Sequence, residues 1–529
     1  MTAGIILIAI IIFLCILANR FSDKFGMPAL ILFMFIGMLF GSDGILKIPF
    51  DDFHMAENFC SIALLFIMFY GGFNTKWKLA KNVAVKAVLL STLGVLVTAG
   101  ITAVCCHVFL KFSVVESFLV GAVLSSTDAA SVFSILRQKK LNLKDGTASL
   151  LEMESGSNDP VSYMLTVIGI SLLGAGEGNS LLYNTFAQLI YGSAIGILFA
   201  VCAVKILTKS SLITDGLDTI FMIATILLCY GLSDFVGGNS YLSVYLMGII
   251  VGNSPIKNKN VLIPFFDGIT GLAQIFLFFL LGLLAFPHRL PAIILPALAI
   301  VFFLTLAARP LAVFILLKPL KCSNRQCILV SWAGLRGAAS IVFATMVIAS
   351  GASLSSDLFH IVFMTALFSV AIQGTLLPRV AKGLGMVDES SDVRKTFNDY
   401  QEESAITLMR MFIPAGHNWE NKLVKDVSMP TGSLAIMIKR KKETVIPKGD
   451  TKILAGDNVI LSVPAYEPAE HEKLEEIQID SGHHWCNRSI EELHLPPNEL
   501  IALIIRGEEN LIPDGQTVIL ENDIVLSYR

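Results

Sequence analysis

The stretch Leu151-Glu152-Met153-Glu154-Ser155-Gly156-Ser157-Asn158-Asp159-Pro160 lies inside an apolar run covering residues 148–174. Three carboxylates, two hydroxyls and a carboxamide are packed into a segment long enough to cross a bilayer. Ionisable groups in such a segment are costly and mark a functional site by default. On a helix, Glu154 and Asn158 are four apart, as are Ser155 and Asp159, so each pair shares a face. Asp159 therefore has a hydroxyl one turn away and a carboxamide beside it. Pro160 has no N–H to donate, which frees a carbonyl one turn back, near Gly156. Oxygen donors grouped in this way suit a hard, partly dehydrated monovalent cation, K⁺ or Na⁺.

The chain around this stretch is built for lipid. Of 529 residues, 54% are hydrophobic and only 15% charged, where soluble domains carry about 25%. A net charge of −3 gives no case for nucleic-acid binding. The nine cysteines are scattered and form no C-x-x-C pair, so neither a metal site nor a disulfide framework is indicated. The apolar run at residues 4–19 lacks a basic flank and a small-residue cleavage site, and reads as a retained first helix. Up to about residue 385 we count thirteen apolar segments: 3–19, 27–42, 57–75, 83–110, 114–136, 148–174, 181–207, 216–236, 239–253, 264–286, 291–317, 327–350 and 357–378.

Loop charges test that count. With the N-terminus outside, the inner loops hold Arg20, Lys24, Lys76, Lys78, Lys81, Arg137, Lys139, Lys140, Lys144, Lys205, Lys209, Lys257, Lys259, Lys318, Lys321 and Arg325. The outer loops hold only Lys47, Lys111 and Arg289. This bias puts the thirteenth helix's end, and the polar tail after it, in the cytoplasm. The tail repeats itself with a period of 66 residues and no gap. Gly416, Trp419, Pro430, Arg440, Pro447, Gly449, Thr451 and Asp457 match Gly482, Trp485, Pro496, Arg506, Pro513, Gly515, Thr517 and Asp523. Each copy reads as a small α+β unit: an alternating strand (Met411/Ile413, Ile477/Ile479), a short helix, then two strands around Pro447-Lys-Gly or Pro513-Asp-Gly.

Two further spans are interrupted by small and polar residues. The fifth holds Ser125-Ser126-Thr127-Asp128-Ala129-Ala130-Ser131; the twelfth holds Gly334-Leu335-Arg336-Gly337-Ala338-Ala339-Ser340. Such stretches permit close approach or local unwinding. An unpaired arginine there would cost roughly 3 kcal/mol even on the gentler insertion scale. Glu154 is its first-choice partner. Spans five and twelve are an odd number of helices apart, so they run in opposite directions, and matched interruptions in inverted halves point to a midplane site. Glu152 falls on a different face from Glu154. Asp234, Asp267 and Arg309 sit near span ends and read as interfacial or structural, and His107 and His360 as lone histidines near the outer face.

Thr127-Asp128, Glu154-Ser-Gly-Ser-Asn158-Asp159-Pro160 and Gly334-Leu-Arg336-Gly337-Ala together resemble the monovalent cation:proton antiporter family, in its bacterial potassium/proton branch. Asn239–Asn253 and Ile372-Gln-Gly-Thr also resemble that branch. The resemblance covers about residues 1–385, and each tail copy resembles the regulatory TrkA-C (RCK-C) domain. It implies an all-α polytopic membrane fold with an inverted repeat and interrupted helices (1–385), a linker (386–401) and two TrkA-C units (402–466 and 467–529). It further implies that Asp159 binds the ion, helped by Ser155, Thr127 and Glu154. Asn158 holds the hydrogen bonds, Asp128 neutralises helix N-terminal ends, Arg336 pairs with Glu154, and Gly334, Gly337 and Pro160 mark breaks. A homodimer in the bacterial inner membrane and a small nucleotide-like ligand on the tail follow from the same likeness. The resemblance also implies K⁺ and H⁺ as the transported ions, with no cofactor. The family often has Thr-Asp-Pro where this chain has Thr127-Asp128-Ala129, so a milder break is expected in span five. The alternatives are Na⁺ as substrate, or a ligand-gated cation channel, although no Thr-Val-Gly-Tyr-Gly filter is present. No metal-ligand or Ser/His motif speaks for an enzyme.

Overall fold

Backbone groups in lipid must find partners within their own segment, so apolar spans of this length fold as helices. The computed structural model describes residues 2–25, 28–77, 81–139, 141–174, 181–209, 216–256, 258–388, 406–429, 433–440, 443–464, 474–480, 483–493, 495, 500–506, 509–511 and 513–528. Eight helical stretches among them are long and apolar enough to cross a membrane, and four shorter apolar helices accompany them. The helix Thr147–Leu172 also has the length, at 26 residues, but carries the acidic cluster. Large apolar side chains face outward from the first helix (Ile5, Ile6, Phe13) and from Leu181–Lys209 (Phe186, Ile190, Leu198). Apolar surface of this extent belongs in lipid.

Close helix packing relies on residues without side chains. Gly37, on Ala29–Phe40, faces the backbone of Phe279 and Gly282; Gly282, on Lys259–Leu283, faces the backbone of Met34. A Cβ at either position would run into the other helix's main chain.

Among the described residues, three helices contain a single π-turn: Leu90–Gly94, Leu304–Ala308 and Ser369–Gly374. Two more of the described helices are broken outright. Val114–Val123 and Ala129–Gln138 are separated by the non-helical residues 124–128; Asn324–Trp332 and Ala338–Ala349 by 333–337. The two breaks are equal in length, and span five is interrupted with Ala129 in the place where the family often has proline. Asp128 explains this. Its Oδ1 accepts from Ser131 N at 3.3 Å and its Oδ2 from Ser131 Oγ at 2.5 Å, capping the new helix where a proline would have started it.

The chain divides into two compact units, Met1–Tyr400 and Gln401–Arg529. Residues 386–388, read as the start of a linker, pair with the loop at 142–144: Lys144 N donates to Met386 O and Asp388 N to Asn142 O, each at 2.9 Å. In the second unit, strands β1 (Ile406–Phe412), β2 (Leu434–Arg440), β3 (Glu443–Val445) and β4 (Asn458–Pro464) form an antiparallel sheet in the order β1-β4-β2-β3. Strands β5 (Leu474–Gln478), β6 (Leu500–Arg506), β7 (Glu509–Leu511) and β8 (Ile524–Tyr528) repeat that order as β5-β8-β6-β7.

The repeat extends to single side chains. Arg440 grips Asp457 with two bonds of 2.8 Å; Arg506 grips Asp523 with bonds of 2.9 and 2.7 Å. Burial pushes both carboxyls up. The arginine and a backbone N–H (Leu454, Leu520) outweigh burial and hold each below the usual carboxylate range. The predicted short helices are single 3₁₀ turns, Val424–Asp426 and Glu491–Leu493. Pro430, Gly482 and Pro496, the linker from 389 onward, and the inner-loop residues Lys78, Lys140 and Lys257 lie outside the described residues.

Candidate functional site

The two breaks cross. Asp128 N donates to Leu335 O at 2.8 Å. Arg336 Nη1 donates to Ser125 O at 3.0 Å and to Ser126 O at 2.8 Å. Each half-helix that stops leaves carbonyls without partners, and each that starts leaves bare N–H groups. Arg336 serves carbonyls just past Val123, at a negative helix end. The Asp128 carboxylate caps Ala129–Gln138 and abuts Gly337, the residue before Ala338–Ala349, so it meets two positive ends. At Gly337 a Cβ would occupy the space of that carboxylate.

Thr147–Leu172 lies against the crossing and presents its polar face to it. Ser126 Oγ donates to Asp159 Oδ1. Thr127 Oγ1 lies 2.9 Å from Ser155 Oγ and accepts from Asn158 Nδ2 at 2.5 Å. Ser126, Thr127, Ser155, Asn158 and Asp159 are all buried. Structure thus brings Asp159, Ser155, Asn158 and Thr127 into one cluster, with Asp128 and Gly337 at its edge. Ser126 was missed as a ligand candidate; its place beside Thr127 in a break was the available signal. Pro160 does not interrupt its helix. Its carbonyl accepts from Asn239 Nδ2 at 2.7 Å, so the Asn239–Asn253 motif begins with a brace on the site.

Glu154 does not pair with Arg336. Its Oε2 accepts from Arg309 Nη2 at 2.6 Å, and both side chains are fully enclosed. Arg336 is already occupied by the carbonyls of the opposite break, whereas Arg309 opens a new helical segment directly after the π-turn Leu304–Ala308. It is therefore a core residue and not an interfacial one. The π-turns connect to the site by a hydrogen-bond chain. Arg336 N donates to Ser369 Oγ (3.0 Å), Ser369 Oγ to Gln373 Oε1 (2.5 Å), and Gln373 Nε2 to Thr305 Oγ1 (2.8 Å). The Ile372-Gln-Gly-Thr signature thus supplies the link between two π-turns. His360 is likewise not alone: its Nδ1 lies 2.7 Å from Asp357 Oδ1, and its Nε2 accepts from Phe286 N at 2.9 Å.

Asp159 stands on the wall of a cavity. The cavity, of about 840 Å³, is lined by Asp159, Ser155, Thr127, Glu152, Asn74 and Asp267. Asp267 accepts from Tyr70 OH at 3.0 Å, so it belongs to this cavity wall. On the other side, one turn along the helix, Tyr163 stacks edge-on with Tyr241 at 5.0 Å; Phe343 stands 5.9 and 6.0 Å from the two rings. These aromatics close the route beyond Asp159.

A buried carboxylate ringed by hydroxyls at crossed, broken helices is the arrangement expected of a membrane antiporter of small cations and protons. The chain matches the model of the sodium/hydrogen exchanger family, transmembrane part, over residues 8–383, and it belongs to that family. Residues 408–465 and 474–526 each match the TrkA-C domain. It is 32% identical over 449 residues to the K⁺/H⁺ antiporter NhaP2 of Shewanella baltica, covering 84% of this chain and 77% of that one. It is 31% identical over 462 residues to the K⁺/H⁺ antiporter NhaP of Alkalimonas amylolytica, covering 86% and 80%. The fold is similar to that of the sodium proton antiporter MjNhaP1 from Methanocaldococcus jannaschii, with a TM-score of 0.64 and 23% identity, covering 72% of this chain and 99% of that one.

Proposed function

We propose that the protein exchanges cytoplasmic K⁺ for H⁺, one for one, at Asp159. The observation that carries this is the carboxylate's position: buried among hydroxyls, on the wall of the cavity. Asp159 holds a proton or a cation, never both. Thr127, Ser155 and Ser126 supply oxygens for a cation stripped of part of its water, and Asn158 orders them. The other charges of the crossing cancel: Arg309 and Arg336 against Glu154 and Asp128. The site is then neutral with either ion aboard, so exchange moves no net charge. The empty carboxylate is the expensive state to carry past Tyr163 and Tyr241, and that cost couples the two fluxes. K⁺ is favoured over Na⁺ because the relatives similar over most of the chain are named for K⁺.

The loop charges favour an outer N-terminus and a cytoplasmic tail in the bacterial inner membrane. Family likeness favours a homodimer and regulation through the TrkA-C pair. The test is fluorescence-monitored proton movement in everted vesicles on adding K⁺, Na⁺, Li⁺ or Rb⁺. Wild-type protein should respond to K⁺ above the others, and Asp159→Asn to none. Undiminished exchange by properly inserted Asp159→Asn overturns the reading. A response to Na⁺ alone replaces the substrate and leaves the mechanism.

A further inference from the structure

The far side of the aromatic barrier holds a second polar cavity that the exchange site does not use. Its volume is about 600 Å³, and its wall includes His54, Glu57, Tyr163, Gln188 and Asp234. The same helix serves both chambers: Glu152, Ser155 and Asp159 line the first, Tyr163, Val167 and Ile170 the second. Among the wall residues of the second chamber, two carboxylates face one histidine, and Glu57 lies within electrostatic reach of both Asp234 and His54. An independent feature points to an occupant. Gln188 is 6% exposed, and its Oε1 accepts no hydrogen bond among the described residues. A buried amide oxygen without a donor is costly unless something positive faces it. The backbone fixes its place, because Gln188 O accepts from Asn239 N at 3.0 Å, next to the brace on Pro160.

We propose that this chamber is a second monovalent-cation site, formed by the Glu57 and Asp234 carboxylates and the Gln188 carbonyl. It holds the transported ion in partly hydrated form on the face opposite the first cavity, which is the outer face in the orientation the loop charges favour. The chemistry matches: hard oxygen donors, excess negative charge and room for retained water. Tyr163, shared between this wall and the barrier, separates the site from Asp159 by one helical turn. The proposal rests on the exchange reading for its role in transport, but not for binding itself.

The test uses purified full-length protein and Tl⁺ as the probe, with bound Tl⁺ located by anomalous scattering. In Asp159→Asn protein the first site is removed. Tl⁺ should still bind in the second chamber, and binding should disappear when Glu57→Gln and Asp234→Asn are added. Absence of Tl⁺ from the chamber in Asp159→Asn protein, or binding indifferent to the added pair, overturns the proposal. Gln188→Leu removes one oxygen and no charge, and should weaken Tl⁺ several-fold without altering elution on gel filtration. In oriented proteoliposomes with Asp159 intact, the Glu57/Asp234 pair should raise the half-saturating cation concentration on the chamber's face about tenfold, equivalent to 1.4 kcal/mol. The opposite face should keep its value, and an equal shift on both faces overturns the proposal. Exchange that survives Asp159→Asn would defeat the proposed function while leaving the Tl⁺ result to stand or fall separately.

Discussion

Removing Arg309 should damage the protein differently from removing Arg336, although both are intramembrane arginines near one glutamate. Arg309 makes one bond of 2.6 Å to Glu154, and the two side chains are 2% and 0% exposed. Among the described residues, Glu154 Oε1 and Arg309 Nε have no hydrogen-bond partner, so neither group has a substitute bond in reserve. Breaking an enclosed pair by deleting one partner costs about 3–5 kcal/mol. Arg336 feels the charges of both Glu154 and Arg309 and would still partly compensate the stranded carboxylate. That places Arg309→Gln near the lower end, about 3 kcal/mol. Arg336→Gln instead loses two charge-assisted bonds to Ser125 and Ser126 carbonyls, roughly 1.5–3 kcal/mol each before relaxation. A double-mutant cycle separates these cases. Unfolding free energies in mixed micelles should give a Glu154–Arg309 coupling of about 2–3 kcal/mol and a Glu154–Arg336 coupling below about 1 kcal/mol. The reverse order would refute the pairing and restore Arg336 as the glutamate's partner.

Ser126→Ala removes one donor from Asp159 and should raise the half-saturating cation concentration by about three- to tenfold, from a bond worth roughly 1 kcal/mol, measured in everted vesicles. Gly337→Ala forces a methyl group into the Asp128 carboxylate and should cut transport by more than about tenfold through overpacking of 1–3 kcal/mol, whereas Gly100→Ala, with open space around it, should be silent in the same assay. In the tail, Asp457 and Asp523 have carboxyls held below their ordinary value, so the stability they contribute is present above about pH 4, the unfolded carboxylate value, and is lost as pH falls further through the lowered folded values. Fluorescence of Trp419 and Trp485 in a Trp77→Phe/Trp332→Phe background should report that acid transition, and Arg440→Ala together with Arg506→Ala should move it toward neutral pH. Deletion of residues 400–529 should leave exchange intact and change its set point; complete loss of transport in a stably inserted truncation would count against a purely regulatory tail.

What could be read from the sequence was whatever depends on local order. Asp159, Ser155 and Asn158 share a helix face by spacing alone, and the structure keeps them on one face. The broken helices were visible because small and polar residues cluster at Ser125–Ser131 and Gly334–Ser340. Arg440/Asp457 and Arg506/Asp523 could be matched between copies, because a repeat period needs no three-dimensional information. That each arginine grips its own copy's aspartate could not be read from the match, since strand pairing brings them together.

The positions of the two arginines, Arg309 and Arg336, have one physical cause. An ion pair across 155 residues depends on where a distant helix turns, and π-turns leave no periodic signature that a sequence reader can count. One extra residue at Leu304–Ala308 rotates everything after it on that helix, which is what turns Arg309 inward to Glu154. A second π-turn, Ser369–Gly374, sets Ser369 under the backbone N–H of Arg336 and leaves that arginine's side chain to the opposite break. The choice between the two arginines was therefore made by helix phase, not by charge. It follows that shortening the Leu304–Ala308 turn by one residue should uncouple Glu154 from Arg309 with every charged residue still present. The Glu154–Arg309 coupling energy should fall toward zero in that deletion variant. A coupling that stays near 2–3 kcal/mol would mean the pair forms whatever the phase of its helix.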